Sequence, residues 1–289
     1  MRGLLKISDP RYPRLLKEIK SAPKEIFYKG TWDKKTFKNC LAVVGSRRMT
    51  SYGRQVAEKL VSAAAVNGLT IISGFMYGID AAAHRAALDA GGRTIAVMPC
   101  GIDLIHPYYQ TNLYKRILDE KGLIISEYGG KSQPTLWTYP QRNRIVAGLC
   151  QAALVVEAGE KSGSLITAAL ARKYKRKVFA VPGPISSPVS QGTIQLIKEG
   201  AEIVKGPEDL LDFYGVKKNI FFNRSLSLSQ DSALEKKIRD KLLNEPLEID
   251  ILARVLNLSV EKISTTISLM QVKGVLFKEN GKYYIKDSC

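Results

Sequence analysis

The sequence predicts an α/β protein built on a doubly wound, mostly parallel sheet, followed by a small second domain at the C-terminal end. Three observations carry this. Between residue 41 and residue 214, short β-branched apolar runs alternate with amphipathic stretches of helical length, which is the rhythm of βαβ units. The apolar runs are continuous rather than alternating, so both faces of the sheet must be covered. The rhythm stops after Tyr214 in a chain of 289 residues, near the size at which single cores, at roughly 250 to 300 residues, give way to two.

Residues 1–40 form an N-terminal extension expected to pack on the core, because DPRYPRLLKEIKSAP sets three prolines around one short amphipathic turn. The core, residues 41–214, offers strands at 41–45 (LAVVG), 70–74 (TIISG), 94–99 (TIAVMP), 123–128 (LIISEY), 153–158 (ALVVEA), 177–183 (KVFAVPG) and 201–206 (AEIVKG). Helices are predicted over 51–66, 79–90, 110–120, 141–150, 163–174 and 190–199, with PEDLLDFY as a last short one. Residues 215–231 read as a linker, polar and without a sustained period. From 232 to 289, three helical patterns (232–243, 247–256, 259–272) precede GVLFKENGKYYIK, two β-type runs around an Asn-Gly turn. That order is winged-helix-like.

Composition narrows the function classes. With 45% hydrophobic and 25% charged residues, the chain is ordinary for a globular protein, which excludes a mostly disordered one. Its 44 Lys and Arg against 27 Asp and Glu leave a charge of +17, a field that attracts polyanions, nucleic acid first among them. A solvated basic surface would carry the same sum, so the location of the charge matters more. Residues 1–214 hold 31 basic and 18 acidic side chains, most of the excess. The four cysteines, Cys40, Cys100, Cys150 and Cys289, form no C-x-x-C pair, and the two histidines, His84 and His106, are far apart; no metal site, cofactor or disulfide framework is expected. The N-terminus lacks an apolar signal region, and no stretch approaches the ~18 apolar residues of a membrane span. A soluble, cytoplasmic protein is the expectation.

Ligands of open parallel sheets bind beyond the carboxyl ends of the strands. The first such loop, VVGSRRMTSYG, supplies Gly45 for close backbone approach, the Ser46 hydroxyl, and the forked donors of Arg47 and Arg48, a phosphate grip; turn geometry alone would also account for its small residues. In ISGFMYGIDAAAHRAAL, Ser73 and Gly74 end a strand, His84 sits among alanines and reads as structural, and Asp80 suits the first turn of a helix. In VVEAGEKSGSLITAALARKYKRK, Lys161, Ser162, Gly163 and Ser164 lead into a helix with free N–H donors, a second phosphate position. The basic run Arg172, Lys173, Lys175, Arg176 and Lys177 either caps that helix or touches nucleic acid. TLWTYPQRNRIVAGL places Trp137 and Tyr139 before Arg142, Asn143 and Arg144, a mixture of aromatics and guanidinium groups suited to single strands. For Trp137, a buried loop anchor is the preferred alternative. Neither G-x-x-x-x-G-K-[ST] nor G-x-G-x-x-G follows any strand, against a triphosphatase or a dinucleotide enzyme. Glu127 and Glu157, without a nucleophile or base beside them, are assigned to orienting nearby Arg or Lys. No catalytic residue is assigned and no enzyme is expected.

Taken together, VVGSRRMTSYG, SGFMYGIDAAAHRAALDAGGRTIAVMPCGID, ISEYGGKSQPTLWTYPQRNRIVAGL, VVEAGEKSGSLITAALARKYKRKVFAVPG and QGTIQLIKEGAEIV resemble the successive motifs of the DprA/Smf family of DNA-processing proteins, from about Asp9 to about Val204. The resemblance implies an extended Rossmann-like domain that binds single-stranded DNA in a basic pocket, forms a homodimer, protects incoming strands and loads RecA recombinase during transformation. The C-terminal winged-helix-like domain also occurs in many members. The family's GSR motif falls on Gly45, Ser46 and Arg47, its SG motif on Ser73 and Gly74, its RNR segment on Arg142, Asn143 and Arg144, and its KSGS motif on Lys161, Ser162, Gly163 and Ser164. The chain departs from the pattern where SGLARGID reads SGFMYGID, so that Tyr77 replaces an arginine, and where HPYYQTN stands for a region usually close to YP before an Asn.

Two other functions compete. A nucleoside-monophosphate hydrolase on a similar sheet would show a PGGxGT-type motif, whereas the nearest string here is PGPISSPVSQGT. A duplex-DNA regulator would use SVEKISTTISLMQVKG, which carries only Lys262 and Lys273 as cations, thin for a major-groove helix; protein contacts suit it better.

Overall fold

The aliphatic runs of the first 216 residues pair into one nine-stranded sheet of order β1-β2-β6-β5-β4-β3-β7-β8-β9. The strands are β1 (Arg2–Lys6), β2 (Glu25–Gly30), β3 (Cys40–Val44), β4 (Thr70–Ser73), β5 (Arg93–Met98), β6 (Leu123–Ser126), β7 (Ala152–Val155), β8 (Lys177–Ala180) and β9 (Glu202–Ile203). β3 to β9 run parallel. The computed structural model describes residues 2–216, 233–243, 245–272, 274–279 and 281–285. They fall into two compact units, residues 1–219 and 220–289.

From β3 the chain winds to one side through β4, β5 and β6, then returns to the other side through β7, β8 and β9. This reversal opens a crevice beyond the carboxyl end of β3. The helices are α1 (Arg14–Lys17), α2 (Ser51–Val66), α3 (Ile79–Asp89), α4 (Thr111–Asp119), α5 (Thr138–Leu149), α6 (Gly163–Lys173), α7 (Gln191–Lys198) and α8 (Pro207–Phe213). Strand periodicity sorts them onto two faces. Leu41 and Val43 of β3 pack with Ala57, Val61, Ile79 and Ala83 of α2 and α3. Cys40, Ala42 and Val44 pack with Ile145, Leu149 and Ala168 of α5 and α6. The alanines let backbones approach closely.

Three details differ from the sequence reading. Residues 2–30 do more than pack on the sheet: β1 and β2 extend it antiparallel, with Leu5 opposite Ile26 and Phe27 opposite Ser126. Gly45, Gly74, Glu127 and Glu157, expected as strand ends, lie in the loops that follow. Helix α5 starts at Thr138 instead of 141, because Pro140 stands in its first turn, where a backbone N–H has no intrahelical partner to lose. Of the expected linker, Gly215 and Val216 close the end of α8 by donating to Asp212 O at 3.0 Å and Leu211 O at 3.1 Å; residues 217–231 lie outside the described residues. No described helix is long and apolar enough to cross a membrane.

The second unit contains α9 (Ala233–Leu242), α10 (Ile249–Leu256), α11 (Val260–Val272) and the antiparallel pair β10 (Leu276–Glu279) and β11 (Lys282–Ile285). Ile238, Leu252, Ile263, Ile267 and Leu276 form its core. Asn280 of the expected turn lies outside the described residues, as does Lys273.

His84 is fully buried on α3, with Nδ1 2.7 Å from Thr94 Oγ1, in agreement with a structural role. Burial, seconded by Arg142 and Arg85, lowers its pKa from 6.5 to about 3. The unfolded chain therefore takes up this proton first, so the stabilisation is present above pH 6.5 and is lost as pH falls toward 3. Between pH 7 and pH 5, urea unfolding of the native chain should lose about 2 kcal/mol more than that of His84→Gln; equal losses would show that His84 is not held neutral.

Candidate functional site

The loops after β3, β4 and β7, with the first turn of α5, enclose a cleft of about 670 Å³ at the carboxyl ends of the strands. A hollow of about 800 Å³ at the antiparallel edge sets Glu25 and Glu127 against Lys6 and Lys24, so it has no comparable charge bias. The cleft is lined by Arg47, Arg48, Arg142 and Lys161, with Asp80 as its single carboxylate among the described residues.

Its floor is built around Arg142. This side chain is 4% exposed, and its Nη1 donates to Gly74 O and to Val97 O, tying α5 to the ends of β4 and β5. Burial lowers its pKa to about 10 despite the favourable charge of Asp80. Asp80, also buried, has its pKa raised by burial, opposed first by Arg142 and then by the hydrogen bond from Met76 N. The two charges meet over Gly74, where a Cβ would fall 2.7 Å from both the guanidinium and the carboxylate. Glycine is thus required there by packing inside the protein. At Gly45 the reason is similar, since a Cβ would fall 2.7 Å from Ile79 Cγ1.

The walls carry donors. Arg47 and Arg48 are exposed, and Arg48 N donates to Ser46 Oγ at 3.0 Å, which shapes the turn. The Arg47 guanidinium lies 5.8 Å from the Tyr77 ring centre and 5.3 Å from that of Tyr139. Across the cleft, Ser162 caps α6 by accepting from Ser164 N, with the two hydroxyl oxygens 2.7 Å apart, and Lys161 is exposed. Asn143 accepts from Arg142 Nε at 3.2 Å and donates to Gly163 O at 3.4 Å, joining floor and wall. His106 Nε2 meets Tyr139 Oη at 2.7 Å, and burial together with Arg47 and Arg142 lowers the histidine's pKa.

Of the sequence-predicted residues, Gly45, Ser46, Arg47, Arg48, Gly74, Arg142, Asn143, Lys161, Ser162, Gly163 and Ser164 line this one cleft. Ser73 and Arg144 do not. Ser73 is fully buried and donates to Val43 O at 2.6 Å. Arg144 sits two residues, or about 200° of helix, beyond Arg142, so it faces away: it pairs with Glu127 and donates to Ser21 O, fastening α5 to the N-terminal segment. Glu127 accordingly orients an arginine, as expected. Glu157 does not; it accepts from Thr50 N at 3.0 Å and from Thr50 Oγ1, fixing the start of α2. Trp137, expected as a buried anchor, is 58% exposed and edge-on to Tyr128. In the basic run, Arg172 pairs with Glu199, Arg176 with Glu18 and Lys177 with Glu202; Lys173 and Lys175 are exposed. The sequence reading missed the partnership of Asp80 with Arg142 and that of Arg47 with two tyrosines. The aromatic residues were visible in the motifs, but their convergence was not.

The chain matches the family model of DNA recombination-mediator protein A over residues 3–215. It belongs to that family. It is 45% identical to the DNA processing protein DprA of Streptococcus pneumoniae over 71% of this chain and 72% of that protein. It is 35% identical to the Smf protein of Synechocystis over 96% of this chain and 78% of the relative, a match that takes in the second unit. Among solved structures, DNA processing protein A of S. pneumoniae superposes with a TM-score of 0.69 at 42% identity, covering 73% of this chain and 74% of that one. The Helicobacter pylori protein, whose structure concerns a single-stranded DNA binding mode, superposes with a TM-score of 0.66 at 30% identity, covering 74% and 95%. The family's large parallel sheet is therefore this chain's fold, and the family motifs are the loops that enclose the cleft.

Removing one of two opposite buried charges leaves the other uncompensated. Asp80→Asn should lower stability by about 3 kcal/mol in denaturant unfolding, whereas Lys161→Ala should be nearly neutral. An unchanged midpoint for Asp80→Asn would show that Arg142 does not depend on that carboxylate.

Proposed function

We propose that this chain is a non-catalytic single-stranded DNA-binding protein of recombination and transformation, holding the strand's phosphates in the cleft beyond β3, β4 and β7. One observation carries the reading: the motif loops, far apart in sequence, place four cations and the N-terminus of α6 around one cleft whose single carboxylate among the described residues is offset by the charge of Arg142. Such a site takes a polyanion backbone. Membership of the recombination-mediator family and the single-strand binding named for the H. pylori relative support the same class of ligand.

The groups that chemistry would need have structural duties. His84 is buried against Thr94, Glu157 holds the start of α2, Glu127 pairs with Arg144, and Cys40, Cys100 and Cys150 are buried. This supports a binding protein over the nucleoside-monophosphate hydrolase. Among the described residues no group of three His, Cys, Asp or Glu could hold a metal ion. A homodimer that protects the strand in the cytoplasm and delivers it to RecA recombinase completes the proposal, on the strength of the family relationship. The second unit, winged-helix-like in its order of three helices and a hairpin, is assigned to protein contacts, since Lys262 is the single lysine or arginine described on α11.

Fluorescence anisotropy of labelled oligo-dT, beside a duplex control, tests this. Binding should favour the single strand and weaken with salt at a slope of about −0.7 per phosphate neutralised. Arg47→Ala should lose roughly tenfold or more in affinity, a phosphate contact together with its stacking, without lowering the unfolding midpoint. A salt-insensitive interaction, or full affinity in Arg47→Ala, would remove the cleft from the binding site.

A further inference from the structure

The cleft has a second kind of surface at its rim. Tyr77, in the loop after β4, is 42% exposed, and Tyr109, in the loop after β5, is 68% exposed; their ring centres lie 6.3 Å apart at an angle of 47°. Arg47, from the loop after β3, stands between the rings of Tyr77 and Tyr139. Three successive strand-end loops and the first turn of α5 thus bring aromatic faces and a guanidinium to one edge.

These rings are not core residues that fell short of burial. The loop carrying Tyr77 is held on three sides: Arg142 donates to Gly74 O, Gln110 Nε2 donates to Phe75 O at 3.0 Å, and Asp80 accepts from Met76 N at 3.3 Å. Phe75, fully buried, has a φ of 57°, a left-handed conformation costly for an aromatic residue and kept only where the surroundings over-determine it. The result is a rigid loop that turns Met76 inward and Tyr77 outward. A ring fixed in water beside cations suits a flat, π-faced ligand that also carries negative charge.

We propose that Tyr77 and Tyr109, with Arg47 braced between Tyr77 and Tyr139, form a stacking platform for one unpaired nucleobase at the rim of the cleft. The platform rests on the single-strand reading above and adds to it: the chain grips a base as well as phosphates. Stacking on such a platform needs a base free of its partner, so it also disfavours duplex DNA.

The test compares oligo-dT with an abasic strand of the same length, which carries the same phosphates without bases. The native chain should bind oligo-dT about tenfold or more tightly than the abasic strand. Tyr77→Ala should lose roughly tenfold on oligo-dT and little on the abasic strand, Tyr77→Phe should keep the native preference, and Tyr109→Ala should fall between them. A strand carrying 2-aminopurine should show a change in base fluorescence on binding that Tyr77→Ala reduces. Equal losses by Tyr77→Ala on both strands would overturn the platform, showing that Tyr77 serves only to position Arg47. Equal binding of both strands by the native chain would overturn it while leaving the phosphate reading in place. If the native chain binds neither strand, the single-strand reading itself fails and the platform falls with it.

Discussion

A buried guanidinium needs its donors satisfied and its charge matched, and Arg142 meets both needs only where α5, the end of β5 and the turn after β4 come together. Its hydrogen bonds to Gly74 O and Val97 O and its charge attraction to Asp80 hold the floor of the cleft. The walls then follow. Asn143, next on the helix, reaches Gly163 at the start of α6, and Tyr139, one turn earlier, reaches Arg47 and His106. Gly74 is required because any side chain would occupy the space where the two charges meet.

The same economy governs the acidic residues. In a cleft meant for an anion, a free carboxylate would oppose binding. Three acids near these loops are matched inside the protein: Asp80 by Arg142, Glu127 by Arg144, and Glu157 by the amide and hydroxyl of Thr50; Glu160, beside Lys161, is exposed. Arg47, Arg48 and Lys161 remain exposed and available to a ligand. Tyr77, standing where the family pattern has arginine, gives up a charge at the rim and gains a ring.

Much of this was legible in the residues themselves. The seven core strands and seven core helices read from periodicity all occur, with shifts of one to three residues at most of their ends. The larger shifts have causes: at the strand ends apolar continuity outlasts the hydrogen-bonded ladder, and α5 begins before the expected position 141 because Pro140 is tolerated in a helix's first turn. The strands of residues 2–30 lack the continuous apolar run of the core strands, since Arg2 and Lys6 of β1 and Glu25 and Lys29 of β2 alternate with buried positions, as in an antiparallel edge region.

What the sequence determined by itself was the alternation of strand and helix, the face each apolar position serves, and the loops in which Gly, Ser, Arg and Lys gather at strand ends. These follow from periodicities of two and 3.6 residues and from local turn chemistry, which neighbours a few positions apart decide. Only the tertiary structure decided which cations face the cleft. Arg142 and Arg144 are indistinguishable in the string RNR, yet one forms the floor and the other fastens α5 to the N-terminal segment. The hydrogen bond of Ser73 to Val43, the matching of Asp80 with Arg142 and the bracing of Arg47 by Tyr77 and Tyr139 likewise join residues from different strands, helices and loops. Such partnerships arise only when the sheet order brings those loops side by side, because a buried charge or hydroxyl must find its partner in space and carries no mark of it in the chain.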